Sequence, residues 1–330
     1  MLKSKKGRSR TEEPVAARAL AGLVTESGDP RHEDLDLLTS RAIVGRIHEE
    51  TAGILPVLEA VLGDVARLAE WAAEAFRNGG RLVFVGAGTS GRLGVLEAAE
   101  CPPTFGTPPG RVIGVIAGGR RTLVRSREGV EDEREPARRE IRRLGVGPRD
   151  VVVGLSASRR TPYVAAALAE AGRRKARTAL VHCNPPGPED RKVDLAIRLM
   201  VGPEVIAGST RMKAGTVQKI VLNMVTTAAM VRTGRVYGNL MVDLEARSLK
   251  LRERSLRLVQ TTTGVSRPRA RRLLEASGGR VKVAILMERA GVDRVRAVRL
   301  LSGSAGFLRR ALETAGVPSH PRGRPPRAGS

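Results

Sequence analysis

The sequence predicts an α/β protein, a three-layer α/β/α sandwich around a parallel sheet, with helices ahead of it and a small helical domain behind. Three observations carry that expectation. Short runs of Val, Ile and Leu alternate with helical stretches, the runs are apolar at consecutive positions, and glycines or prolines punctuate their ends. A strand apolar at every position is buried on both faces, as in a parallel sheet covered by helices on each side.

Taken in order, residues 1–22 form a basic, apolar-poor tail expected to be disordered. Residues 23–80 form a helical segment: Leu58, Val61, Leu62, Val65, Leu68, Ala69, Ala72 and Phe76 recur at spacings of three and four, and Gly79-Gly80 ends the run. The α/β domain is expected over 81–250, with strands near 81–86, 111–119, 150–156, 178–183 and 194–202 and a long helix over 213–234. Residues 251–315 form the small helical domain, whose part beyond Thr263 breaks at glycines into three short helices. The tail 316–330, rich in Pro, Gly and Arg, is again expected to be disordered.

With 330 residues and 41% hydrophobic content the chain can bury a sizeable core. It carries no run of about 18 apolar residues and no signal-like start, so we expect a cytoplasmic protein without membrane contact. The net charge of +24 raises the question of nucleic acid. Scattered arginines and only 2% aromatic residues argue against it, although the field favours an anionic small molecule. Cys101 and Cys183 lack CxxC pairing, and His32, His48, His182 and His320 show no HExxH spacing. No metal or cofactor is expected, which leaves carboxylates for acid and base chemistry.

Three hydroxyl-bearing turns stand at strand ends or helix starts. "GAGTSGRLG" has the GxGxxG spacing of a dinucleotide loop, yet the following strand ends on Arg120 and Arg121 where a ribose-binding acid belongs. Thr89, Ser90 and Gly91 at a helix start instead suit a single phosphate, with Ser90 as a plain N-cap the structural alternative. "GLSASRRTPYV" adds Ser156, Ser158 and Thr161, and "AGSTRMKAG" adds Ser209, Thr210, Arg211 and Lys213. Three such loops at the carboxyl ends of parallel strands point to a sugar phosphate. Glu100, in "AAECPP", is expected at the end of the helix leaving the first loop, stopped by Pro102. Glu131 lies in "REGVEDERE", so charged that an exposed helix face is the simpler account of it.

The motifs "GAGTSGRLGVLEAAECPPTFG", "EGVEDERE", "RRTPYV", "GSTRMKAGTVQKIVLNMVTTAAMVRTGRVYGNLMVDL" and "TGVS…VKVAILM", in order between about Thr25 and Leu312, resemble the N-acetylmuramic acid 6-phosphate etherases of the sugar isomerase (SIS) superfamily. The resemblance implies a cofactor-free, homodimeric lyase that removes D-lactate from C3 of its sugar phosphate. It also implies that Glu100 and Glu131 carry the acid and base steps, with Glu100 as proton donor to the lactate and Glu131 acting on the C2 proton or the water. One position departs from the family: Arg159 replaces a glycine in the second loop, where it is expected to strain or crowd the turn. A SIS-type sugar-phosphate isomerase and a non-catalytic sensor resembling glucokinase regulatory protein are the alternatives.

Overall fold

The computed structural model describes residues 22–244 and 249–318, so both expected tails lie almost wholly outside the described residues. Five parallel strands, β1 (Leu82–Gly86), β2 (Val112–Ile116), β3 (Val151–Leu155), β4 (Arg177–His182) and β5 (Leu195–Arg198), form one sheet in the order β2-β1-β3-β4-β5. Each lies within or beside its expected run.

Strand side chains alternate between two faces, and both faces are covered. Leu82, Phe84, Val151, Val153 and Val181 point into one apolar layer, against α2 (Ile54–Arg77), α3 (Gly88–Phe105) and α6 (Lys213–Val231). Val83, Val85, Val152 and Leu180 point into the other, against α4 (Arg134–Arg143) and α5 (Pro162–Arg173). This double burial is why the strands are continuously apolar. Ahead of the sheet, α1 (Ser40–Ala52) and α2 are separated at Gly53, and short 3-10 turns occupy Val24–Glu26, Pro30–His32 and Leu35–Leu37.

Two expectations change. The helix leaving the first loop does not stop at Pro102 but runs on to Phe105, and Gly106 ends it in a left-handed conformation. Prolines at 102 and 103 remove N–H donors to the carbonyls of Ala98 and Ala99, and Ala99 is exposed, so water can serve that carbonyl. A buried polar cluster also holds α3 in place: Glu97 accepts hydrogen bonds from Lys219, from Asn223 Nδ2 at 3.0 Å and from Thr226 on α6.

Beyond Thr263 there are four helices, not three: α8 (Arg267–Ala276), α9 (Val281–Ala290), α10 (Arg294–Gly303) and α11 (Leu308–Thr314). With α7 (Leu249–Thr263) they enclose a separate apolar cluster, to which a short antiparallel ladder, β6 (Val236–Tyr237) with β7 (Leu240–Met241), adds Tyr237. No helix among the described residues is long and apolar enough to cross a membrane.

Candidate active site

Strand β1 pairs with β2 on one side and β3 on the other, so the chain reverses direction across the sheet at β1. In parallel sheets ligands bind beyond the strand ends at such a point. Gly86 and Leu155, the last residues of β1 and β3, are register partners, and a cavity of about 320 Å³ opens beyond them.

The first loop delivers Thr89 and Ser90 to this cavity. Ser90 is not the N-cap of α3; that position is Ala87, which has no side chain to cap the helix, so the N–H groups of the first turn are available to a ligand. Gly91 does not line the cavity. A Cβ on it would lie 2.7 Å from the Gly86 carbonyl oxygen, and one on Gly86 would lie 2.6 Å from the Gly91 nitrogen, so the two glycines let helix and strand touch. That contact holds the start of α3 over the strand end.

The second loop is a cluster of hydroxyls. Ser156, 2% exposed, lies 2.7 Å from Thr161 Oγ1 and 3.4 Å from Ser158 Oγ, and Ser158 accepts from the Arg160 N–H at 3.3 Å. All three hydroxyl residues line the cavity, and Thr161 stands at the start of α5. Two helix N-termini, each with a partial positive charge, therefore meet at one place.

The third loop behaves differently. Thr210 reaches the cavity, but Ser209, Arg211 and Lys213 are not in its wall. The N-terminus of α6 is already occupied: the buried Glu204 carboxylate accepts from the Lys213 and Ala214 N–H groups, both at 2.9 Å. The Lys213 ammonium is paired with Glu50. Burial alone would raise the Glu50 carboxyl, but Lys213, with Arg31 and His32 behind it, outweighs burial and holds it below the usual range. Asp29, His32 and Glu50 bring possible metal-ligand atoms within 4.8 Å of one another. Lys213 and Arg31 already neutralise these carboxylates, so the cluster supplies its own cations.

Glu131 is in the cavity wall. It is half-buried in a turn ahead of α4, anchored by buried Val130, and its carbonyl accepts from the Tyr163 N–H of α5 at 2.9 Å. The charged segment is thus a turn at this point rather than a helix face, and the turn is tied to the second loop. Glu100 is not in the wall. It is exposed, twelve residues along α3 from Gly88, or about 18 Å of helix.

Arg159 adopts φ +70°, the left-handed region that glycine occupies freely. The side chain does not crowd the cavity; 6% exposed, it turns away, with Nε 2.8 Å from Glu189 and a bond to the Pro185 carbonyl. Gly187 makes room, since a Cβ there would lie 2.3 Å from the guanidinium carbon. Backbone strain at Arg159 is thus set against a part-buried ion pair with Glu189. Cys101 and Cys183 are buried free thiols, and burial pushes both up to about 12, which removes them as nucleophiles.

Six further wall residues, Glu26, Arg92, Thr122, Ser126, Arg127 and Glu128, were not legible as site residues. Arg92, within the same "GAGTSGRLG" stretch, donates to the Leu123 carbonyl at 3.2 Å and to Ser126 at 3.1 Å, tethering the segment after β2. An arginine one turn into a phosphate-loop helix was the signal available for it.

The model of the glucokinase regulatory protein N-terminal SIS domain matches residues 64–171. Proteins named N-acetylmuramic acid 6-phosphate etherase, from Salmonella agona strain SL483 and Salmonella typhi, are 47% identical over 294 residues, covering 89% of this chain and 99% of their own length. Among solved structures, phosphoheptose isomerases from Francisella tularensis and Neisseria gonorrhoeae match with TM-scores of 0.46 and 0.44 at 17% identity. They cover 59% and 57% of this chain and 98% of each of theirs.

Proposed function

The chain belongs to the N-acetylmuramic acid 6-phosphate etherase family, and from that premise we propose how its cavity performs the family's reaction. The activity is carbon–oxygen lysis: the C3 lactyl ether of N-acetylmuramic acid 6-phosphate is cleaved to N-acetylglucosamine 6-phosphate and D-lactate. In the open-chain sugar the C1 aldehyde makes the C2 proton acidic. A base takes that proton, the C3–O bond breaks with its electron pair going to the lactate oxygen, and that oxygen is protonated. Water then adds across the C2–C3 double bond.

In our reading the phosphate sits on the Ser156, Ser158 and Thr161 hydroxyls and the first-turn N–H groups of α3, and Glu131 takes the C2 proton. The observation that carries it is the meeting of Glu131 with that hydroxyl cradle in one cavity wall. Lactate is a poor leaving group as an alkoxide, so an acid is required. Glu100 fits that role when a second copy presents it, since its exposed place along α3 is remote from the cavity of its own subunit. The reading therefore includes a homodimer. It also includes the cytoplasm, which suits two buried free thiols.

Purified protein incubated with N-acetylmuramic acid 6-phosphate is expected to release D-lactate, and binding without release overturns the reading in favour of a sensor. Glu131→Gln lowers release on the order of 10²–10⁴-fold, while sugar-phosphate binding persists. Mixing the inactive Glu100→Gln and Glu131→Gln variants restores partial activity if the site is shared between copies. Light scattering at the monomer mass, or no recovery on mixing, removes the shared site.

A further inference from the structure

A carboxylate with no assigned task stands in the same wall. Glu26, from the segment ahead of α1, lines the cavity with Thr89, Ser158 and Thr210. Its carboxylate makes no hydrogen bond or ion pair among the described residues, although the chain carries a net charge of +24. An acid facing a pocket for a phosphate is electrostatically unfavourable unless it meets an uncharged, proton-donating part of the ligand.

The backbone beneath Glu26 is fixed to both neighbouring loops. Thr25, 1% exposed, accepts through Oγ1 from Asn184 Nδ2 at 3.0 Å, and the same nitrogen donates to the Ala157 carbonyl, between Ser156 and Ser158, at 2.9 Å. The Thr25 carbonyl accepts from the Gly208 N–H at 3.2 Å, two residues before Thr210. Gly208 also leaves the space the acid uses, since a Cβ there would lie 3.3 Å from Glu26 Oε2. Glu26 itself is exposed, and the buried, doubly tethered Thr25 before it fixes its backbone at one edge of the cavity.

We propose that Glu26 is a substrate-contacting carboxylate that accepts hydrogen bonds from the hydroxyl groups of the bound sugar phosphate. The proposal rests on the cavity being the sugar-phosphate site of the preceding reading, but it does not require turnover. It makes Glu26 a residue that distinguishes a sugar phosphate from phosphate alone.

The test is calorimetric titration of the full chain and its Glu26→Ala and Glu26→Gln variants with N-acetylglucosamine 6-phosphate and, separately, with inorganic phosphate. Thermal unfolding is followed in parallel. Loss of hydrogen bonds to a charged acceptor weakens sugar-phosphate binding of Glu26→Ala on the order of tenfold or more, with Glu26→Gln intermediate. Inorganic phosphate binding and the Tm stay unchanged. Equal affinity of wild type and Glu26→Ala for the sugar phosphate overturns the proposal, as does an equal loss for both probes accompanied by a lower Tm. A wild-type chain that binds phosphate but not the sugar phosphate overturns it too. Lactate release by the wild type is scored independently, so failure of the etherase reading is distinguishable from failure of this one.

Discussion

The second and third hydroxyl loops look alike in sequence and differ in what they can do. Ser156, Ser158 and Thr161 gather at the start of α5 and face a cavity, whereas Ser209 and Thr210 precede α6, whose N-terminus holds a protein carboxylate. Both places offer N–H groups and a helix dipole. What separates them is the nearest acid: Glu204 fills the third loop's anion site from within, and among the described residues no acid fills the second. A helix N-terminus preceded by Ser or Thr is therefore an anion site only where the fold has not already satisfied it.

The sharpest way to break this contrast is to empty the closed terminus. Glu204→Ala leaves two buried N–H groups without their charged acceptor and is expected to cost about 2–4 kcal/mol, read by denaturant unfolding. Added phosphate should restore part of that loss if the uncapped terminus now binds it. A stability unchanged by the substitution would mean that Glu204 is incidental.

Ser156→Ala tests the open terminus. The expected outcome is a phosphate affinity lowered about tenfold with stability nearly preserved, because Ser158 and Thr161 are only half-buried and water can replace their Ser156 partner. Arg159→Gly probes the turn between them. It relieves the cost of a positive φ and removes the ion pair with Glu189 together, so stability should fall by about 1 kcal/mol while phosphate affinity stays the same, the side chain pointing away from the cavity. Tighter phosphate binding in that variant would show that the arginine does hinder the loop.

The smallest effect concerns pH. His182, fully buried at the end of β4, accepts through Nδ1 from the Asn184 N–H at 3.3 Å and turns Nε2 toward Asp190 Oδ1 at 3.1 Å. Burial outweighs the attraction of Asp190 and lowers the imidazole pKa below its ordinary 6.5. The unfolded chain then binds a proton more readily than the folded one. The stability from neutral His182 is complete above about pH 6.5 and is lost as the pH falls through the lower, folded value. His182→Gln should flatten that acid limb of the unfolding curve; an identical limb would assign it to other groups.

The sheet was legible because double burial writes itself into each strand as an unbroken apolar run, as in "DVVVGLS" around β3. Glu131 and the second loop were legible through their motifs. What escaped was whatever arrives from elsewhere in the chain. Glu204 caps a helix nine residues further on, Glu50 claims Lys213 across 163 positions, and Glu26 reaches the site through a tertiary tether. The end of α3 escaped for a local reason, since Pro-Pro usually stops a helix but an exposed face lets water replace the missing donors.

The tether from Thr25 to Asn184 spans 159 positions. Closing so large a loop costs chain entropy before any contact returns it. During synthesis the segment bearing Glu26 leaves the ribosome early and must wait, undocked, until Asn184 and then Gly208 emerge. The sheet from β1 to β3 can assemble before that moment, but the cavity wall cannot, which makes binding competence a late event in the life of the nascent chain.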